Sequence, residues 1–299
     1  MSKSPGLLPG RLGLAASRIP HADRHGLLWL EYGRLSVEDG TLRFVAAKSD
    51  ALAAGDYAIP YQSVSMVLLG PGTSLTQDVL RLCARHSVLL VAVGKGGVKT
   101  YTAPPMGQGR SAVARAHAEL WADEKKRVDT ARRLYAWRFG RVLPHRSIET
   151  LRGIEGARMK ESYKLLAQRF GIEWKGRRYD RDKPNAADLP NQAINHAATF
   201  VESAADIAVA AVGALPPLGF IHEDSSNAFT LDIADLYRVD VTLPLAFSAV
   251  SAYRNGKTDN LERETRYQAA RLFRQEKLIP RMIDRIKELF NVDDGRRDA

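Results

Sequence analysis

Four residues have types and spacings suited to gripping a divalent cation: Glu155, His222, Asp232 and Asp235. Stepping by three and four residues from Ile148 gives Leu151, Glu155, Met159, Ser162 and Leu166, an apolar helical stripe with a carboxylate in its middle. A carboxylate turned inward must be paired or coordinate a metal, because leaving water is costly for the charged form. Arg152 or Arg158 could supply a plain ion pair, while Gly153 and Gly156 suggest that something approaches the backbone on either side of Glu155. The other acidic residues follow Pro216-Pro217, where Gly219 to Asp224 reads as a loop delivering His222, and Leu231 to Arg238 reads as a helix start. Asp232 and Asp235 are three apart, so on a helix their Cβ atoms lie about 5–6 Å from each other and the pair asks for a cation. One imidazole with two or three carboxylates suits Mg²⁺ or Mn²⁺ better than structural zinc, which favours thiolates or several histidines. The remaining histidines show no ligand spacing.

The elements that must carry these residues divide the chain in two. From Leu27 to Ala103 short alternating segments and turn signals such as Glu38-Asp39-Gly40 predict a small sheet domain. Further strands are expected at Ala58 to Ile59, Val64 to Leu69, Val88 to Val93 and Val98 to Thr102, with one helix at Leu75 to His86. Gly94-Lys95-Gly96-Gly97 lacks the spacing of a phosphate loop and reads as a turn. Pro104 to Gly109 ends this region, and helices are expected at Ser111–Phe139, Ser147–Phe170, Pro190–Val212, Asp232–Arg254 with a break at Pro244, and Leu261–Leu289 with a break at Pro280. The fold class is therefore α+β: a β-rich domain over 1–104 and a larger all-α domain over 105–299 carrying the candidate site. There is no internal repeat.

Composition narrows the partners. The 299 residues hold 44 Lys plus Arg against 34 Asp plus Glu, a net charge of +10 that points to a polyanion. Residues 110–183 hold 20 basic and 10 acidic side chains, whereas 185–260 hold 3 and 9. A basic surface beside an acidic pocket is what metal-assisted phosphodiester chemistry needs, although solvated helix faces would give the same totals. Wholesale disorder, a fibrous repeat and a membrane-spanning segment are excluded by the composition and the short apolar runs. Early prolines and glycines break any secretory segment, and one cysteine, Cys83, fits a reducing compartment, so a cytoplasmic protein is expected.

Several separated segments then resemble a known family. Thr150 to Arg158, Trp174 to Asp180, Leu218 to His222 and Asp232 to Asp235, with Leu30 to Gly33, Pro71 to Thr73 and Leu134 to Gly140, are similar in order to the CRISPR-associated spacer-acquisition integrases of the type I-E branch. The resemblance implies metal ligands at Glu155, His222 and Asp235, with Asp232 a neighbouring acidic residue needed for activity. It also implies DNA-facing roles for Tyr32, Arg81, Lys99, Arg177, Tyr179, Arg238, Arg263 and Arg266. Ser74 and Lys99 stand where relatives can carry Arg, and Pro184 where they can carry Trp, so contacts there are weakened or moved.

The implied activity joins 3′-hydroxyl ends of captured duplex DNA (the protospacer) into the CRISPR repeat, dependent on Mg²⁺ or Mn²⁺. A structure-selective endonuclease using the same centre and a noncatalytic DNA-binding scaffold are the competing readings. Joining both ends needs two active sites, so a homodimer is expected within a larger complex with a small companion adaptation subunit. The strands Leu35–Val37 and Leu42–Phe44 are candidate dimer surfaces unless they fill the local core.

Overall fold

The computed structural model describes residues 26–49, 52–86, 88–102, 112–145, 147–178 and 188–292. Its amino-terminal part is two small sheets. Strands β1 (Gly26–Leu30), β5 (Val64–Leu69) and β7 (Leu89–Ala92) form a parallel sheet in the order β1-β5-β7. The second sheet has the order β4 (Gly55–Ile59), β3 (Thr41–Ala46), β2 (Gly33–Glu38), β6 (Thr73–Leu75). Asp39 and Gly40 both have positive φ, 49° and 74°, which matches the two-residue turn that hairpins with right-handed twist prefer and sets Glu38 opposite Thr41. Helix α1 (Gln77–Arg85) crosses back to β7.

The two faces of β5, whose register shifts at Ser65, explain how this part joins the rest. Val64 and Val67 pack with Leu30, Leu35, Leu42, Phe44, Val79 and Cys83 in a core between the sheets and α1. Met66 and Leu68 instead join Val91 and the helices in one large core. A strand buried on both faces reads as a continuous apolar run, as Val64 to Leu69 nearly does. Leu35, Leu42 and Phe44 are fully buried in the chain's own core, so they are not the dimer surface anticipated from their alternation.

The carboxy-terminal part is helical: α2 (Ala112–Ala122), α3 (Glu124–Phe139), α4 (Ile148–Arg169), α5 (Leu189–Val212), α6 (Ala228–Asp235), a π turn (Arg238–Thr242), α7 (Leu243–Arg254), α8 (Leu261–Gln275) and α9 (Leu278–Phe290). The alanine-rich α5 is buried along most of its length and packs against α6, α7, α8 and α9. It starts where the Asp188 side chain accepts the Asn191 N–H and stops at Gly213, whose φ of 71° is left-handed.

Five expectations change, one being the break set at Pro244: it falls at Leu236-Tyr237, and Pro244 sits in the first turn of α7. The single helix anticipated over Ser111–Phe139 is two, because Asp123 caps a new start by accepting the Lys126 N–H at 2.8 Å. The break in the last helix falls at Glu276-Lys277, where Lys277 is left-handed, and Pro280 sits in the first turn of α9, where its missing N–H costs nothing. Val98 to Thr102 forms one bridge, Val93 to Thr100, in place of a strand, and β6 was not anticipated. The 104/105 boundary lies outside the described residues. Among the described residues no helix is long and apolar enough to cross a membrane.

Candidate metal centre

The site is built where α3, α4 and α6 meet the loop after α5, and that loop is positioned by α2. His117 of α2 is fully buried; its Nε2 lies 2.7 Å from the Leu218 carbonyl, while the Leu215 N–H donates to Nδ1 at 3.2 Å. Since Nδ1 accepts, the proton sits on Nε2 and the ring is neutral. Burial pushes its pKa down to about 4. Trp121 Nε1–H donates to the Gly219 carbonyl at 3.0 Å. Gly219 itself is required by space, because a Cβ there would lie 2.0 Å from the His222 carbonyl oxygen.

Asp232, fully buried on α6, fixes the other end of the loop. Its Oδ2 accepts the N–H groups of Phe220 and Ile221 at 2.6 and 3.1 Å, and its Oδ1 accepts the His222 N–H at 3.0 Å. The same Oδ1 lies 2.7 Å from His222 Nδ1. With Nδ1–H donated to the carboxylate, Nε2 presents its lone pair toward Asp235, whose Oδ2 is 3.8 Å away. One turn of helix thus separates a carboxylate that orients the imidazole from one that faces it.

Glu155 reaches the same place from α4, and its partner is neither Arg152 nor Arg158. Arg152 donates to the Ile221 carbonyl and Arg158 to the Phe139 carbonyl. Nη2 of Arg138, on α3, contacts Glu155 Oε1 and lies 3.1 Å from Asp235 Oδ2. Arg238 closes on the other oxygen of Asp235. Two carboxylates from separate helices therefore share one cationic nitrogen, with an imidazole against the second. Among the described residues no three His, Cys, Asp or Glu side chains enclose an ion as they stand; Arg138 takes up the edge they share. Two hard oxygen donors and one imidazole nitrogen fit Mg²⁺ or Mn²⁺ chemistry.

Two further carboxylates lie nearby on α5. Glu202 is pushed up to about 7, chiefly by burial and then by the negative charge of Asp235, and burial also raises Asp206. Their signal was legible: two acids four apart in a helix with no other Asp, Glu, Lys or Arg. Arg138 left a similar trace, sharing the apolar face of α3 with Ala131, Leu134 and Tyr135. Among the described residues nothing approaches the backbone of Gly153 or Gly156, since a Cβ at either meets no atom within 4 Å.

The residues anticipated to face DNA are dispersed. Among those that lie in the described residues, only Arg238 joins the acidic centre. Tyr32 is 38% exposed with a positive φ of 56° at the turn between β1 and β2. Arg81 is exposed on α1 beside Asp78, and Ser74 lies in β6. Lys99 lies over the Tyr101 ring. Arg177 donates to the side-chain oxygens of Asn191 and Asn195, which makes it an anchor for the start of α5. Arg263 and Arg266 lie on α8, the first exposed and the second near Glu262. Tyr179 and Pro184 lie outside the described residues.

Known proteins share this arrangement of sequence and fold. The family model described as CRISPR associated protein Cas1 matches residues 27–142 and 138–278. The chain is 36% identical over 278 residues to the CRISPR-associated endonuclease Cas1 of Escherichia coli K12, covering 92% of this chain and 88% of that protein. It is 34% identical to a Rhodospirillum rubrum CRISPR-associated endonuclease Cas1 over 270 residues, 89% of this chain and 85% of the relative. The structure of a TtCas1–DNA complex superposes with a TM-score of 0.79 at 31% identity, over 89% of this chain and 97% of that one. A casposase bound to integration product shares the fold, with a TM-score of 0.60 at 13% identity over 91% of this chain and 99% of that one. The paired matches across both halves, at this identity and coverage, mean that the chain belongs to the Cas1 family.

Proposed function

We propose that this chain is a metal-dependent DNA integrase of CRISPR adaptation, joining 3′-hydroxyl ends of captured duplex DNA to phosphodiesters of the CRISPR repeat. The observation that carries it is the convergence of Glu155, His222 and Asp235 from three parts of a Cas1-family chain onto one small region, two of them through a single cationic nitrogen. Glu155, His222 and Asp235 would hold Mg²⁺ or Mn²⁺, which supplies Lewis-acid polarisation of the phosphoryl group and offsets charge in the transition state.

The chain's own residues supply order rather than a nucleophile. Asp232 keeps the His222 proton on Nδ1 and leaves Nε2 free to ligate. Arg238, half-exposed beside Asp235, is placed to meet a phosphate oxygen. In the reaction the incoming 3′-hydroxyl forms a P–O bond while the P–O3′ bond of the repeat strand breaks, and the proton lost by one oxygen is regained by the other. Bond types balance, so no energy source is needed.

The name endonuclease carried by the relatives favours a second reading, in which water replaces the 3′-hydroxyl at the same centre. The similarity to TtCas1, whose structure is solved in complex with DNA, supports DNA as partner. A homodimer joined by a small companion subunit would provide the two centres that joining both ends requires.

The deciding experiment supplies this chain and its companion subunit with a short blunt duplex, a supercoiled repeat plasmid and Mg²⁺ or Mn²⁺. Covalently joined product, lost in Glu155→Ala with DNA binding retained, is expected. Nicked plasmid without joining selects the endonuclease, and DNA binding with neither nicking nor joining selects a scaffold.

A further inference from the structure

Arg138 is the most enclosed cationic group among the described residues of the centre, with a side chain 6% exposed. A guanidinium offers five donors, yet Nη2 alone serves both Glu155 and Asp235, while Nη1 is buried with no hydrogen-bond partner among the described residues. A purely structural arginine at this depth would satisfy both ends of its fork. The contacts are also placed on particular atoms. Arg238 holds Oδ1 of Asp235, whereas Arg138 holds Oδ2, the oxygen 3.8 Å from His222 Nε2. Arg138 therefore covers the one Asp235 oxygen that looks toward the imidazole.

Charge favours exchange over coexistence. Glu155 and Asp235 contribute two negative charges, and Arg138 and Arg238 already balance them. A divalent ion added to this pocket would sit against a guanidinium at low effective dielectric, where like charges repel strongly. Room to withdraw exists: a cavity of about 310 Å³ adjoins the pair, lined by Arg138, Glu155, Arg158, Asp235 and the exposed Asp240.

We propose, on the divalent-cation function above, that Arg138 is a built-in counter-cation, holding Glu155 and Asp235 together in the metal-free chain and leaving their shared edge when Mg²⁺ or Mn²⁺ binds. Loading the centre is then a guanidinium-for-metal exchange, and Arg138 is a positioning residue that lowers the apparent metal affinity in return for a preformed site.

Mn²⁺ titrations by calorimetry, with melting temperatures measured with and without Mn²⁺, test this on the wild-type chain, Arg138→Gln, Arg138→Lys and Glu155→Ala. Arg138→Gln should bind Mn²⁺ about tenfold more tightly than wild type or better. It should melt lower without the ion and recover when saturated, with Arg138→Lys between. A merely structural arginine would not have its loss repaired by metal. If wild type and Glu155→Ala bind Mn²⁺ alike, the centre is not the metal site and the function itself falls. If wild type binds through Glu155 while Arg138→Gln binds equally or less tightly, the exchange is wrong and the function stands. Should Arg138→Gln fail to fold, wild-type crystals soaked in Mn²⁺ decide: Nη2 beyond about 4 Å from either carboxylate supports exchange, and both contacts kept beside the ion overturn it.

Discussion

The two halves of the centre are held by different forces. On the His222 side, the Asp232 carboxylate accepts three backbone N–H groups and the imidazole, and His117 and Trp121 fasten the loop from outside. On the Glu155 side, charged groups meet across three helices, with Arg138 between Glu155 and Asp235. Backbone hydrogen bonds in a dry interior tolerate little displacement, whereas an ion pair can trade one cation for another. The first half is a rigid mount, and the second is the part able to respond to an ion.

The sharpest way to break this contrast is at Asp232. Asp232→Asn places an amide NH₂ against backbone donors, and we expect about 4 kcal/mol lost in chemical denaturation, together with turnover. Tolerance of that change would mean the mount is not rigid.

A pH series sharpens the contrast next, because two buried groups act in opposite directions. His117 titrates near 6.5 unfolded but at about 4 folded, so its contribution is complete above pH 6.5 and is lost as pH falls from 6.5 to 4. Glu202, raised from 4.5 to about 7, imposes a penalty absent below pH 4.5 and complete above 7. Without divalent ions, Glu202→Gln should therefore match wild type near pH 4.5 and exceed it by up to about 3 kcal/mol at pH 8. Its acid loss between pH 6.5 and 4 should be steeper than that of wild type.

Glu155→Gln tests the responsive half. The amide oxygen still accepts from Arg138, so about 1 kcal/mol of stability should be lost while joining activity disappears. The smallest effects belong to two arginines of α8. Arg263→Ala or Arg266→Ala should change stability by less than about 0.5 kcal/mol and reduce the slope of log affinity for DNA against log salt by about one each. Binding titrations at several salt concentrations would show this, and a His222→Ala chain should keep the wild-type slope.

How much was legible depends on whether a signal was local. The Asp39-Gly40 hairpin, the ends of α4 and α5 and the breadth of the helical half follow from turn chemistry, caps and 3.6-residue periodicity, which neighbouring residues settle among themselves. The short strand β6 did not, because three residues pair with β2 only through a contact forty positions away in the chain. Lys277 in place of Pro280 as the helix break was equally hidden, since proline is acceptable in a first turn and only packing fixed where that turn begins.

By itself the sequence determined which residue types were available for chemistry and which helical faces carried them: an acid on the stripe of α4, an acidic pair three apart on α6, and an arginine on the apolar face of α3. Tertiary structure alone decided their division of labour. Asp232 and Asp235 are equivalent as spacing, yet the loop from Phe220 to His222 turns its N–H groups to the first, while α3 and the π turn bring Arg138 and Arg238 to the second. The physical reason is that a buried charge takes its role from whichever donors reach it. Here those donors come from as far as 97 residues away along the chain.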